Sequence, residues 1–272
     1  MARNGAKPGT AVITGASAGI GQELAKLFAA DGYDLVLVAR GREGLERVGN
    51  ALAEKHGVSF QAVPADLTDA AAPEAIFRAV RDAGSEVTAL VNNAGFGLHG
   101  AFAKAEEGKP VTELRRELEM IQVNVAALTH LTKLFLPEMV ARRRGRVLNV
   151  ASTAAFQAGP FMAVYYATKA YVLSFSEAIA LELKGSGVTI TTLCPGPTRT
   201  HFGEGAEMES SRLFHSPLVM EAPEVARVGY RAMQRGKRVA VSGLGNRILV
   251  LGSHLAPRGV SAKIVEMMHE PA

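Results

Sequence analysis

Tyr165 and Lys169 stand four residues apart in Tyr165-Tyr166-Ala167-Thr168-Lys169, where a helical pattern opens, so both side chains can point into one site. A free phenol titrates near 10 and is a poor base at neutral pH. A cation about 4 Å away, at an effective dielectric of about 20, favours phenolate by about 4 kcal/mol before desolvation subtracts from it, roughly three pH units at most. The pair is expected to serve as acid and base, with Tyr166 facing elsewhere. Ser152 ends an apolar strand at the carboxyl edge, where open α/β sheets bind ligands, and its hydroxyl can polarise the oxygen that Tyr165 protonates. Taken alone, a serine there also suits a cap or turn. Asn124 lies inside a long helical pattern from Val111 to Arg143, a mediocre place for asparagine unless its amide is used.

A second group of residues suits a phosphate-bearing ligand. The first apolar run leads into Thr14-Gly15-Ala16-Ser17-Ala18-Gly19-Ile20-Gly21 and then a helix from about Gln22 to Ala30. Glycines let backbone turn sharply and approach a pyrophosphate, whose charge a helix N-terminus favours. The spacing is not the usual G-x-G-x-x-G, and an ordinary strand-to-helix turn has the same composition; the position at the first βα unit is what points to a dinucleotide. Arg40 stands at the tip of the second strand, in Val38-Ala39-Arg40-Gly41-Arg42, with no acidic neighbour there. A guanidinium at that address can fork onto a ribose 2′-phosphate, which favours NADP(H) over NAD(H) against the plainer reading of a solvated arginine. Asp66 and Leu67, past the third strand, are placed to meet the adenine edge. Asn93, Ala94 and Gly95, after the fourth, are small enough for backbone to run beside a cofactor, although such residues also make turns.

These residues need a frame that delivers them to one edge. Apolar or β-branched runs at Thr10–Thr14, Asp34–Ala39, Val58–Val63, Val87–Asn92, Arg146–Ala151, Val188–Cys194 and Arg238–Ser242 alternate with amphipathic helical stretches. Gly32, Gly57, Gly84 and Gly187 each follow a helical pattern, as left-handed helix-closing residues do. The alternation predicts an α/β fold: one doubly wound, Rossmann-type domain over residues 1–272, with a seven-stranded parallel sheet and helices on both faces. A long segment at about 196–222 reads as a lid, and a helical extension follows at about 245–272. The formal net charge is +4 over 272 residues, and the one dense basic cluster, Arg142, Arg143, Arg144 and Arg146, sits where a helix ends, so no nucleic-acid partner is expected. The single cysteine, Cys194, excludes an intrachain disulfide. No stretch offers the roughly 18 uninterrupted apolar residues of a membrane span, and the start lacks a secretory core, so a cytoplasmic location without stable membrane insertion is expected. His201 and His215 share the lid with Glu204, Glu207 and Glu209 in no familiar metal-ligand spacing, and no metal is expected.

In order and spacing, the motif from Thr14 to Gly21, the Asn92-Asn93-Ala94-Gly95 run, Asn124, Ser152, the Tyr165/Lys169 pair and Pro195-Gly196 resemble the classical short-chain dehydrogenases/reductases over roughly residues 8 to 243. The resemblance implies an oxidoreductase moving a hydride between nicotinamide and a carbonyl or alcohol. By it, Tyr165 is the acid/base, Lys169 holds the nicotinamide ribose and lowers the tyrosine pKa, and Ser152 binds the substrate oxygen. It further implies that Asn124 holds a water in a proton relay, that Thr198 and Thr200, after Pro195-Gly196-Pro197, contact the carboxamide and order the lid, and that the chain forms a homodimer or homotetramer through its long helices. The end of the chain departs from the pattern, continuing from Ser242-Gly243 into apolar helical stretches at Arg247–Leu255 and Ala262–Met268. Phe156, Phe161, Met162, Phe202, Met208, Phe214 and Met220 suggest an apolar substrate, a ketoacyl, steroid-like or aromatic ketone. Two rival readings are a catalytically silent NADP(H)-binding regulator and a peripheral membrane or scaffold role carried by the basic surface and apolar tail; the intact catalytic set argues against the first.

Overall fold

Strands that are apolar on both faces need cover on both sides, and the chain supplies it by returning a helix after each strand. The computed structural model describes residues 8–105, 111–200, 216 and 218–269. The strands β1 (Thr10–Thr14), β2 (Asp34–Ala39), β3 (Phe60–Pro64), β4 (Val87–Asn92), β5 (Gly145–Val150), β6 (Val188–Cys194) and, after two short strands, β9 (Val239–Val241) form one sheet in the order β3-β2-β1-β4-β5-β6-β9. Every pairing in it is parallel. The strand order reverses between β1 and β4, the switch point at which such sheets open a crevice.

Helices α1 (Gly19–Ala30), α2 (Arg42–His56) and α7 (Ala222–Gln234) cover one face. Ile13, Leu35 and Leu37 meet Leu24, Phe28, Leu45 and Tyr230 there, with the Phe28 and Tyr230 rings edge to face at 4.9 Å. The alternate strand residues Val12, Val36 and Leu90 meet α3 (Ala72–Asp82) and α5 (Leu128–Ala141) on the other face, through Ile76, Leu131, Phe135 and Met139. The period-2 alternation of β1 and β2 between two apolar layers explains their near-continuous hydrophobic sequence.

Polar side chains also cross this core. Asn92 on β4 donates to Asn149 Oδ1 on β5 at 2.8 Å and to Thr132 Oγ1 on α5 at 3.0 Å, and Asn149 donates to Ser176 Oγ at 2.8 Å on α6 (Ala163–Glu182).

The expected punctuation is present: Gly32, Gly57, Gly84 and Gly187 all have positive φ. The basic cluster caps the end of the sheet away from the site. Arg142, Arg143 and Arg144 donate to the carbonyls of Val87, Gly185 and Pro8 at 3.1, 3.0 and 2.7 Å.

Three expectations change. β3 begins at Phe60 rather than Val58, with the Phe60 ring lying where a side chain on Gly49 would be. The long pattern from Val111 to Arg143 is one helical run from Leu114 to Ala141 that widens into π-type turns over Gln122–Ala127, between α4 (Leu114–Ile121) and α5. The tail forms two helices, α8 (Leu244–Leu255) and α9 (Arg258–His269), each longer than its apolar stretch suggested. The expected lid is described only at its ends. There, β7 (Thr198–Arg199) pairs in parallel with β8 (Met220–Glu221), while 201–215 and 217, with Phe202, Met208, Phe214, His201, His215, Glu204, Glu207 and Glu209, lie outside the described residues. Among the described residues, no helix is long and apolar enough to cross a membrane.

Candidate active site

At the carboxyl edge of the sheet the loops after β1, β2, β3, β4, β5 and β6 wall a cavity of about 900 Å³. It runs from Arg40, Asp66 and Leu67 past Gly15, Ser17, Ala18, Gly19 and Ile20 to Asn93, Ala94, Gly95, Ser152, Tyr165 and Lys169, and on to Pro195, Gly196, Thr198 and Thr200. One cavity therefore gathers every residue picked out from the sequence as catalytic or cofactor-binding except Gly21 and Asn124.

Gly21 lies under the glycine turn. A Cβ there would stand 2.2 Å from the Gly15 carbonyl oxygen and 2.5 Å from Asn93 Nδ2, so its absence lets the turn close onto the fourth strand. The closure is stapled. Asn93 Nδ2 donates to the Thr14 and Gly15 carbonyls at 2.9 and 3.2 Å, and Thr14 Oγ1 accepts from the backbone N–H groups of Asn93 and Ala94, both at 3.0 Å. Gly21→Ala must push backbone apart, a cost of about 1–3 kcal/mol for overpacking a rigid site. The expected result is a thermal midpoint lowered by several degrees together with weakened dinucleotide binding, read by calorimetry and fluorescence titration; an unchanged affinity would show that this turn holds no ligand.

The cradle fits a dinucleotide. The N-cap of α1, Ala18, makes no side-chain hydrogen bond, and no acidic residue occupies the first turn, so backbone N–H groups and the positive end of the helix dipole face the cavity. Arg40 is exposed at the end of β2, and among the described residues no carboxylate lies within ion-pairing distance of it. Asp66 Oδ1 accepts from Thr68 N at 3.0 Å and Thr68 Oγ1 at 2.9 Å; the backbone bond above all holds its carboxyl below the usual range, with a smaller pull from Arg40.

Asn124 is buried in the wide turn. Its Nδ2 donates to the Phe96 carbonyl at 2.9 Å and to Thr168 Oγ1 at 3.1 Å, and its Oδ1 accepts from Phe96 N at 3.1 Å. A turn with i→i+5 bonding shifts the helix register enough to aim that amide at the loop after β4. A Cβ on Gly95 would come within 2.8 Å of Asn124 Oδ1 and 3.3 Å of Lys169 Nζ, so both groups crowd the same spot.

Tyr165 and Lys169 are both buried on α6, and Lys169 Nζ donates to the Val150 carbonyl at 3.1 Å while standing 5.7 Å from the Tyr165 ring centre. The expected lowering of the phenol by the cation is not what the geometry produces. Burial pushes Tyr165 up to about 12, opposed by its hydrogen bond with the Ser152 side chain. Burial also brings Lys169 down to about 8, a small opposing effect coming from Cys194. Helix spacing sets proximity, but both groups sit in a dry wall where each disfavours its own charged form. Ser152 Oγ accepts from Ala154 N at 3.1 Å, so it caps the short 3-10 turn Thr153–Phe156 as well as facing the phenol.

Tyr166 does not face elsewhere: it lines the cavity too, its ring edge-on to Tyr165 at 6.0 Å, because the chamber wraps more than one side of α6. Of the apolar residues expected around the substrate, Met162 reaches the wall, while Phe156 packs against His254 and Met220 against the core. Phe161 does not line the cavity. The sequence reading missed Phe96, Val123, Leu218 and a group from the tail, among them Ile248, Leu249, Ile264, Val265 and Met268, which close the far end. Their signal was the helical apolar spacing after Ser242.

The model of the short chain dehydrogenase family matches residues 9–210. The chain is 31% identical to a serine 3-dehydrogenase of Agrobacterium fabrum over 242 residues, 87% of this chain and 92% of that protein. It is 33% identical to a ketoacyl reductase, HetN, of Nostoc sp. over 187 residues, 69% of this chain and 62% of the longer relative. A short-chain dehydrogenase from Sphingobium yanoikuyae, solved in complex with NADPH, superposes with a TM-score of 0.79 at 32% identity, covering 91% of this chain and 93% of that one. With the family model spanning most of the sheet and the site, the chain belongs to the short-chain dehydrogenases.

Proposed function

We propose that this chain is an NADP(H)-dependent oxidoreductase acting between a carbonyl and a secondary alcohol on a largely apolar substrate. The observation that carries the reading is one continuous cavity with an exposed arginine at one end and the Ser152/Tyr165/Lys169 group near the other. Family membership and a similar chain solved with NADPH support the cofactor class. Gly15, Ser17, Ala18, Gly19 and Ile20 would receive the pyrophosphate, Arg40 the 2′-phosphate, Asp66 and Leu67 the adenine, and Asn93, Ala94, Gly95, Pro195, Gly196, Thr198 and Thr200 the nicotinamide half. Gly21 serves by closing the turn. Bound NADP(H) would supply or accept the hydride.

The protein's own part is proton handling and orientation. With its pKa near 12, Tyr165 is a neutral donor at physiological pH, ready to protonate a carbonyl oxygen that Ser152 Oγ also holds. Lys169, near 8, can hold or release a proton close to neutrality behind it. A neutral phenol and a lysine that is still cationic favour reduction as the working direction. Asn124 acts as a positioning residue for the loop that carries Gly95 and for Thr168. Phe96, Val123, Met162 and Val265 make the substrate end apolar, which suits a ketone with a hydrophobic body. The same reading treats residues 1–272 as one catalytic domain in a cytoplasmic homodimer or homotetramer.

Cofactor choice tests it. A bonded guanidinium–phosphate contact is worth about 1.5–3 kcal/mol, or roughly 10- to 100-fold. Wild type is expected to oxidise NADPH with the higher kcat/KM on apolar ketones, and Arg40→Asp to move the NADPH-to-NADH ratio by that factor toward NADH. An unmoved ratio would remove Arg40 from the site.

A further inference from the structure

The exposed large apolar side chains are not scattered over the surface. Apart from Tyr171 and Leu181, those of the described residues fall within 102–121 and 244–267. On α8, Leu244, Ile248, Leu251 and Leu255 are 61–80% exposed, and on α9 Val260, Ile264 and Met267 are 44–52% exposed. On α4, Leu114, Leu118 and Ile121 repeat the pattern. In each helix the spacing is four, then three, so each set forms one outward stripe. The three helices meet around the cavity. Met120 of α4 and Val265 of α9 pack into one cluster with Met162, Tyr165 and Tyr166, and Arg116, Ile248, Leu249 and Ile264 line the chamber from these same helices. The chamber thus opens through an apolar face, with Ile248, Leu249 and Ile264 belonging to both.

We infer that α8 and α9, together with the outer face of α4, dock on an anionic lipid surface, so that the mouth of the chamber opens onto the membrane. Charge selects this occupant over a second copy of the chain. Arg247 and Lys263 are exposed on the two tail helices, whose sole acidic residue is Glu266. A two-fold contact would set this net-positive patch against another like it, whereas anionic headgroups receive the cations while the stripes enter the acyl boundary. No part of α8 or α9 needs to span the bilayer. Delivery of a lipid-dissolved carbonyl compound to Tyr165 is the corollary, and that clause alone rests on the oxidoreductase reading.

The test is co-sedimentation of the full chain with vesicles of phosphatidylcholine alone or mixed with phosphatidylglycerol. It compares wild type with Leu244→Gln/Leu251→Gln/Leu255→Gln, three exposed positions outside the chamber wall. Wild type is expected in the pellet with mixed vesicles and less with phosphatidylcholine alone, and the triple variant to lose about tenfold in partitioning, since binding scales with buried apolar area and with attraction to anionic lipid. Arg247→Glu/Lys263→Glu should lose the preference for phosphatidylglycerol. Wild type remaining in solution with both vesicles overturns the inference, as does a triple variant that sediments like wild type. So does a wild-type dimer that the triple variant converts to monomer in analytical ultracentrifugation without any vesicle binding, which would assign the face to a second copy. None of these readouts uses turnover, so they stand apart from the catalytic proposal.

Discussion

Tyr165→Phe is expected to lower kcat for ketone reduction by about 10²- to 10⁴-fold, the range that one positioned acid contributes, while NADPH affinity changes little. The substitution keeps the ring that packs with Met120, Met162, Tyr166 and Val265 and deletes only the hydroxyl that meets Ser152. The same hydroxyl sets the expected pH behaviour of wild type. Tyr165 stays protonated until about 12, so across the working range the limit falls on Lys169, which loses its proton through about 8. Reduction, which consumes a proton, should decline as pH rises through that value, and alcohol oxidation should rise. A variant with kcat within about threefold of wild type, well below the loss an essential acid would produce, would take the phenol out of the chemistry.

Lys169→Met should abolish most activity and yet make the protein more stable near neutral pH. Lys169 is buried, and its pKa falls from 10.5 to about 8. Below pH 8 the folded and unfolded chains both carry the charge, and the folded one bears the full cost of holding it out of water. Between about 8 and 10.5 the unfolded chain still binds a proton that the folded chain has released, so wild-type stability rises with pH until the penalty is gone. A shift of that size corresponds to about 3 kcal/mol, less the loss of the bond to the Val150 carbonyl. Tyr165 works in the opposite sense at higher pH, because its raised pKa contributes stability that is lost between 10 and about 12. Denaturant unfolding at neutral pH and near pH 9.5 separates the two: the advantage of the variant should be largest at the lower pH and shrink at the higher. An advantage that does not shrink would mean that something other than the buried charge is responsible.

The frame was legible because each of its signals is local. Apolar runs of five to seven residues, bounded by glycines that take positive φ, marked β1, β2, β4 and β6 with the observed boundaries. Tyr165 and Lys169 were legible through one helical turn, and the glycine turn and Arg40 through their positions after the first and second strands. What escaped was what depends on surroundings. Spacing places a cation near a phenol but does not tell how dry the wall behind them is, so the direction of the Tyr165 shift came out reversed. A wide turn inside a helical pattern leaves no trace in apolar periodicity, and only the odd placement of Asn124 hinted at it. The ends of β3 turn on whether Phe60 can lie over Gly49, a contact between distant faces. The tail was visible as two helices, but nothing in its own sequence says that Val265 returns to the chemistry.

One buried contact bears on how this sheet finds its pairing. Side-chain alternation normally tells a strand which way to lie, but β4 and β5 are apolar on both faces, so sliding one past the other would still bury grease on grease. The amide of Asn92 can reach Asn149 only when those two residues lie side by side. In a slipped alignment Asn149 Oδ1 would lose its donor among aliphatic side chains, at about 1–3 kcal/mol, even though Asn92 Nδ2 still has Thr132 and Asn149 Nδ2 still has Ser176. The asparagine pair thus works as a key between otherwise interchangeable rails, and it lies just beneath the loops whose alignment the chemistry requires.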